Sequence, residues 1–202
     1  METWGLTGWS GAGKTTVLDH LSQKSVPTLD LDQILPTLID RNSELGREGF
    51  ERVVKIFGAS IVDSRGQLDR RLLFKRFMTQ PQDKEKLDEA MGPLLLKQLN
   101  AQRVSWKASG STLCFVAGSR FVEWKLLKEF HGICFLEASL EERVKRVAKR
   151  DSMGKDEVRL MLGLQDQSVS SRPYAKVIWS NDASPKALLK LVDDFVLSRT
   201  KV

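Results

Sequence analysis

Gly8-Trp9-Ser10-Gly11-Ala12-Gly13-Lys14-Thr15 decides the reading of this chain, because it matches G-x-x-x-x-G-K-[ST] at every fixed position. The apolar run Trp4 to Thr7 precedes it, and a helical pattern from Lys14 to Ser22 follows. Glycines let such a turn aim its backbone N–H groups at phosphate oxygens, and the helix behind it presents its positive end to the same anion. Lys14 sets a cation against the β- and γ-phosphates, and the Thr15 hydroxyl is available to Mg²⁺. The stretch Gly8 to Thr15, with Thr16 behind it, therefore reads as the binding site of a nucleoside triphosphate. The bland alternative is a glycine-rich turn with a solvated lysine, but motif and strand-to-helix context agree. The motif is silent about an acceptor.

Outward from this turn, short apolar runs alternate with longer helical patterns, the signature of βαβ units around a parallel sheet. The strand candidates are Trp4 to Thr7, Val26 to Leu29, Thr112 to Val116, Ile133 to Leu136 and Val177 to Trp179. Leu140 to Arg150 and Ser184 to Ser198 read as helices, with Pro185 suited to a first turn. Pro81 to Lys107 has helical spacing with a break expected at Gly92-Pro93. Residues 31 to 107 hold helical patterns and no convincing strand. They read either as an inserted acceptor-binding subdomain or as helices covering the core, and periodicity does not separate the two.

The 202 residues suit one α/β domain, and 41% hydrophobic with 29% charged residues is a globular composition. No apolar stretch approaches the roughly 18 residues that span a bilayer. The start, Met1-Glu2-Thr3-Trp4, lacks the basic region of a signal peptide, so a cytoplasmic protein is expected. Cys114 and Cys134 each sit in an apolar run and read as buried thiols, and His20 and His131 are too scattered to complete a zinc site. The net charge of +6 is compatible with nucleic acid, a membrane surface or a phosphate-rich ligand. Basic residues are densest from Arg143 to Lys155, which favours a local anion site, and no aromatic–basic interleaving points to nucleic acid.

Two further groups bear on chemistry. Asp30 and Asp32 close the second strand candidate, and residues two apart on an extended chain face the same way. One carboxylate at that edge could accept a hydroxyl proton or hold Mg²⁺ through water. The competing reading is a helix cap, since a helical run begins at Gln33 and Asp is a favoured N-cap; the two roles can be split between the residues. Arg143, Arg146 and Arg150 lie three and four apart and share a helix face, the arrangement of a lid that closes on phosphate. A solvated charged face is the alternative.

Taken together, these residues resemble the dephospho-CoA kinase family, in the same order over nearly the whole chain. Gly5-Leu6-Thr7-Gly8 leads into the loop, and Leu29-Asp30-Leu31-Asp32 is similar to the family's Asp-x-Asp. Phe57-Gly58 followed by Gly66-Gln67-Leu68-Asp69-Arg70-Arg71-Leu72-Leu73 resembles Phe-Gly … Gly-x-Leu-Asp-Arg-x-x-Leu. Arg146 to Asp151 resembles Arg-x-x-x-Arg-Asp, Gln165 matches a downstream glutamine, and Ala175 to Asn181 resembles Ala-Asp-x-Val-Ile-x-Asn. The resemblance implies ATP-dependent phosphorylation of the ribose 3′-hydroxyl of dephospho-coenzyme A, with Mg²⁺. It implies a P-loop NTPase fold, a five-stranded parallel sheet flanked by helices. The core would be 1–30, 108–139 and 173–202, with a helical CoA-binding insertion at about 31–107 and a lid at about 140–172. Lys14, Asp32 and Arg146 are the implied catalytic residues, Asp32 as general base with Asp30 as a helper; Arg146 and Arg150 would close on the phosphates. The implied partner is a small molecule, not nucleic acid or membrane, and the oligomeric state stays open.

This chain departs from the family pattern at four places. Gly92-Pro93 stands where His-Pro is usual, and Ala117-Gly118-Ser119-Arg120-Phe121-Val122-Glu123 keeps only the final Glu of Asp-x-Pro-Leu-Leu-Phe-Glu. Trp9 replaces a residue that is commonly small, and Ser180 replaces the Asp before the final Asn. Most departures fall on the acceptor side. A paralogue acting on another small hydroxyl-bearing metabolite or nucleotide, or an ATP-binding module without catalysis, are the alternatives. Glu123 fits a surface role equally well, and Trp9 a packing role.

Overall fold

The apolar run ahead of the glycine turn forms strand β1, Glu2–Gly8, which is buried from its second residue onward. Burial on both faces is what a continuous apolar run means in a parallel sheet. The computed structural model describes residues 1–166 and 170–200, apart from the side chains of residues 70, 74, 78, 81 and 164–166. After β1 come α1 (Lys14–Gln23), β2 (Thr28–Asp30), α2 (Leu31–Ile34), α3 (Glu44–Phe57), α4 (Arg70–Thr79) and α5 (Pro81–Ala108). Then follow β3 (Leu113–Ala117), β4 (Gly132–Glu137), α6 (Leu140–Asp151), α7 (Lys155–Asp166), β5 (Ala175–Ser180) and α8 (Pro185–Thr200). Each sequence-predicted strand is present with its ends shifted by no more than two residues.

The strands form one parallel sheet in the order β2-β3-β1-β4-β5. Trp4 lies beside Phe115 on one side of β1 and beside Gly132 on the other, and Phe135 of β4 lies beside Ile178 of β5. The Phe115 amide donates to Pro27 O at 2.9 Å just before β2. Two compact units result. The first holds Met1–Leu29, Trp106–Arg120 and the chain from Leu127 onward. Its core joins Leu6, Phe115, Leu136 and Trp179 of the sheet to Val17 and Leu21 of α1 and Leu188 and Val192 of α8. Phe195 of α8 sets its ring edge-on to Trp4 at 4.8 Å and Trp179 at 5.6 Å, a favoured aromatic geometry. Both cysteines are buried and outside any disulfide, and burial pushes the Cys134 thiol far above its usual range.

The second unit holds Asp30–Ser105 together with Phe121–Leu126, a segment that the sequence reading left with the sheet. Its described regular elements are helices, apart from the end of β2 at Asp30 and an isolated antiparallel bridge between Val62 and Leu68. Here α5 runs unbroken through Pro93, against the expected break. Proline removes one helical donor, but burial of Met91, Leu94, Leu95 and Leu99 in the core outweighs that loss. Arg52 also donates to Ala90 O at 3.3 Å, in the turn that the proline opens.

Gly92 permits a close approach: a Cβ there would lie 2.4 Å from the backbone oxygen of Trp124. The Trp124 indole donates to the buried carboxylate of Asp88 at 3.0 Å, which fixes that backbone in place. Gly92 and the Phe121–Leu126 segment thus depend on each other. Gly92→Ala should gain about 1 kcal/mol of helix propensity but lose more to overpacking, which typically costs about 1–3 kcal/mol. Thermal melts should show a lower Tm, and an unchanged or raised Tm would mean that the Trp124 backbone gives way freely.

Asp83, at the start of α5, is 1% exposed and accepts Arg76 Nε at 2.5 Å and Lys86 Nζ at 2.9 Å. Arg76 also donates to Phe57 O at 3.2 Å and lies over the Phe57 ring, tying α4 to α3 and α5. The Arg76 bond first, then the Lys86 bond, hold the Asp83 carboxyl below its ordinary value. A depressed carboxylate contributes stability that is present above its unfolded pKa and lost as pH falls through its folded one. Asp83→Asn should therefore lower Tm at neutral pH, with the gap to wild type closing once the solution is well below about pH 3.9. An equal gap in neutral and acid melts would exclude the ion pair as its source.

Among the described residues, no helix is long and apolar enough to cross a membrane.

Candidate active site

The glycine motif is the connection between β1 and α1, as its flanking patterns predict. The loop is held by its own backbone: the Trp9 amide donates to Leu136 O at 3.2 Å and the Ala12 amide to Trp9 O at 3.1 Å. Lys14 Nζ donates to Gly8 O at 2.9 Å, which folds the ammonium back over the loop. Gly13 has φ 111°, and a Cβ there would lie 2.7 Å from Asn181 Nδ2, so only glycine fits. Gly13 is also the N-cap of α1, which has no side-chain cap and no carboxylate in its first turn. The helix therefore keeps its positive N-terminal end for an anion.

Thr15 and Thr16 are exposed at that end. Among the described residues, no group of three or more His, Cys, Asp or Glu is arranged to hold a metal ion. A divalent ion here would take the Thr15 hydroxyl, nucleotide oxygens and water, the sparse protein ligation that Mg²⁺ accepts.

The two aspartates separate. Asp30 ends β2 and caps α2, its Oδ1 accepting from the Asp32 amide at 3.0 Å and the Gln33 amide at 3.4 Å. Asp32 is not on extended chain, as expected, but in the first turn of α2. The chain leaves the strand at Leu31, so the two-residue periodicity of a strand no longer relates the two side chains. Asp32 follows the C-terminal end of β2 by two residues.

On α6 the three arginines sharing a face meet different surroundings. Arg143 is buried, 2% exposed, and its Nη1 donates to Ser10 O of the loop at 3.4 Å. Arg146 is half-buried; its Nη2 donates to Asn181 O at 2.7 Å, while Nη1 is buried with no hydrogen-bond partner among the described residues. Arg150 is exposed and forms two 2.7 Å bonds with its neighbour Asp151. Lys145 is taken up by Glu142 at 2.7 Å, so part of the basic run is neutralised locally. Val144 and Val147 of α6 pack with Val158 and Leu162 of α7. Gln165 falls in α7, with its side chain outside the described residues.

Two residues that the sequence marks only as parts of wider patterns touch the loop. Asn181, after β5, donates Nδ2 to Ala12 O at 2.8 Å and its amide to Glu137 O at 2.8 Å. Arg143 is the other; its place on the Arg146 face was the signal available. Glu123 is half-buried, with its Oε2 buried. Trp9 packs edge-on to Phe135 at 5.8 Å.

A glycine-rich strand-to-helix turn at the C-terminal edge of a parallel five-stranded sheet defines the P-loop fold. A solved dephospho-CoA kinase from Campylobacter jejuni shares this fold, with a TM-score of 0.65 at 16% identity over 98% of this chain and 99% of that one. The chain belongs to the dephospho-CoA kinase family, whose model matches residues 3–187. The dephospho-CoA kinase of Colwellia psychrerythraea is 27% identical over 186 residues, 92% of this chain and 89% of that protein. A Thermus thermophilus protein of known structure is 25% identical with a TM-score of 0.77, covering 100% of this chain and 98% of its own.

Proposed function

We propose that this chain transfers the γ-phosphoryl group of ATP to the ribose 3′-hydroxyl of dephospho-coenzyme A, giving coenzyme A and ADP. The observation that carries the reading is an intact phosphate cradle in a chain that belongs to this family across residues 3–187. The acceptor oxygen attacks the γ-phosphorus, the bond to the β–γ bridging oxygen breaks, and the acceptor proton passes to Asp32. The loop amides and Lys14 take up charge on the β- and γ-phosphates. The Thr15 hydroxyl would hold Mg²⁺, which would neutralise part of the charge on those phosphates. The buried Nη1 of Arg146, a donor with no partner among the described residues, supports a role for that guanidinium on phosphate oxygen. Arg150 joins it by exchanging Asp151 for nucleotide. The chain works in the cytoplasm, as a kinase drawing on the ATP pool there.

Measured ADP release from ATP and Mg²⁺ should rise many-fold over the ATP-only blank when dephospho-coenzyme A is added. No rise would overturn the acceptor assignment. The altered segment 117–123 motivates one other reading, a kinase for a different small hydroxyl-bearing metabolite or nucleotide. Turnover on a panel of such acceptors, with none on dephospho-coenzyme A, would favour it.

A further inference from the structure

Burying a guanidinium costs more than burying an apolar chain of equal length, so packing alone does not call for arginine at position 143. Its contacts point to a task. Arg143 donates Nε to Ala138 O at 3.1 Å and Nη1 to Ser10 O at 3.4 Å, and its Cζ stands 4.9 Å from the centre of the Trp9 ring. The helix that carries it presses on the same loop, because Val147 Cγ2 and Arg143 Cβ would lie 2.9 and 3.2 Å from a Cβ at Gly11. Asn181 holds Ala12 O from β5, and Lys14 holds Gly8 O. Three of the loop's carbonyls are thus held by side chains, and a fourth, Trp9 O, by the Ala12 amide.

A trans peptide sets its C=O and its N–H in opposite directions, and no peptide bond among the described residues is cis. Fixing the Ser10 carbonyl toward α6 therefore turns the Gly11 N–H to the opposite side. Fixing the Ala12 carbonyl on Asn181 does the same for the Gly13 N–H. These are the groups that a phosphate cradle needs aimed at its ligand before the ligand arrives.

We infer that Arg143 is a positioning residue for triphosphate binding: stacked on Trp9 and bonded to Ser10 O, it fixes the Ser10–Gly11 peptide so that the Gly11 amide faces the phosphates. This goes beyond the proposed reaction but rests on its premise that the loop binds a triphosphate. Trp9, a departure from the family pattern, then has a use as the aromatic floor on which the guanidinium is held.

The test is calorimetric titration of the folded protein with MgATP, well below Tm and without acceptor, followed by kinetics. Arg143→Met keeps the length of the chain and removes the donors. It should weaken MgATP binding about tenfold or more, the scale of a hydrogen bond to a charged group. KM for ATP should rise in step while KM for dephospho-coenzyme A stays unchanged. Arg143→Lys should recover most of the affinity, and Trp9→Leu should lose a smaller part of it. Should Arg143→Met fold poorly, the Arg143→Lys and Trp9→Leu titrations decide: wild-type affinity in both would overturn the proposal. A lowered Tm with unchanged MgATP affinity in Arg143→Met would also overturn it, leaving Arg143 as a support for α6 alone. Absent turnover of dephospho-coenzyme A by the wild type would sink the acceptor reading and leave this binding test intact.

Discussion

Lys14→Ala should lower kcat by about 10²–10³-fold and weaken MgATP binding at the same time, since removing one preformed donor to developing charge costs on that scale. The expectation follows from where Lys14 stands. It is the first residue of α1, and its ammonium bends back to Gly8 O across the loop. No other residue of the motif carries a charge, so alanine would leave the loop itself with amides alone to offer the β- and γ-phosphates. Turnover and nucleotide affinity measured on the same preparation would separate this from unfolding, because the change removes little buried surface. A variant that binds MgATP and transfers phosphate as the wild type does would mean that the loop does not hold the triphosphate.

Asp32→Asn should act differently, with MgATP affinity retained and kcat lower by about 10²–10⁴-fold, the range for losing a general base. The control is Asp30→Asn. Asp30 caps α2 through the amides of Asp32 and Gln33, and asparagine caps about as well as aspartate. That variant should keep both its stability and its rate. If instead Asp30→Asn is slow and Asp32→Asn is not, the roles of the two carboxylates are reversed. Near wild-type rates in both would leave phosphoryl transfer without a carboxylate base in this stretch.

The separation of these two aspartates was only partly legible beforehand. A helix start after Asp30 could be suspected from Asp as a cap, yet the same letters also fit an extended edge. Strand and helix differ there by a choice made at Leu31, which is fully buried, and burial of one leucine is not visible in a window of five residues. The expected break at Gly92-Pro93 failed for a related reason. Proline and glycine disfavour a helix locally, but Met91, Leu94, Leu95 and Leu99 each bury almost all of their surface along α5. A glycine that reads as a breaker is there to let the Trp124 backbone in.

The five strands and the cradle were legible because their causes are local. Buried parallel strands must be apolar along their length, and a turn that binds phosphate with its own amides needs glycines at set positions followed at once by a helix. Nothing distant is required to write that pattern. The ranking of the arginines on α6 was not local. Arg143, Arg146 and Arg150 share a face, and only the neighbours brought to that face decide which is buried under the loop, which is tied to Asn181 and which pairs with Asp151. Ser10 and Arg143 lie 133 residues apart, and whether a cation there meets a carbonyl or water depends on how the sheet brings β1 and β4 side by side. By itself, then, the sequence determined the glycine turn of the candidate site and the sheet around it. Tertiary structure alone decided which side chains hold that site in shape, because a hydrogen-bond partner and a degree of burial belong to pairs of residues that only folding brings together.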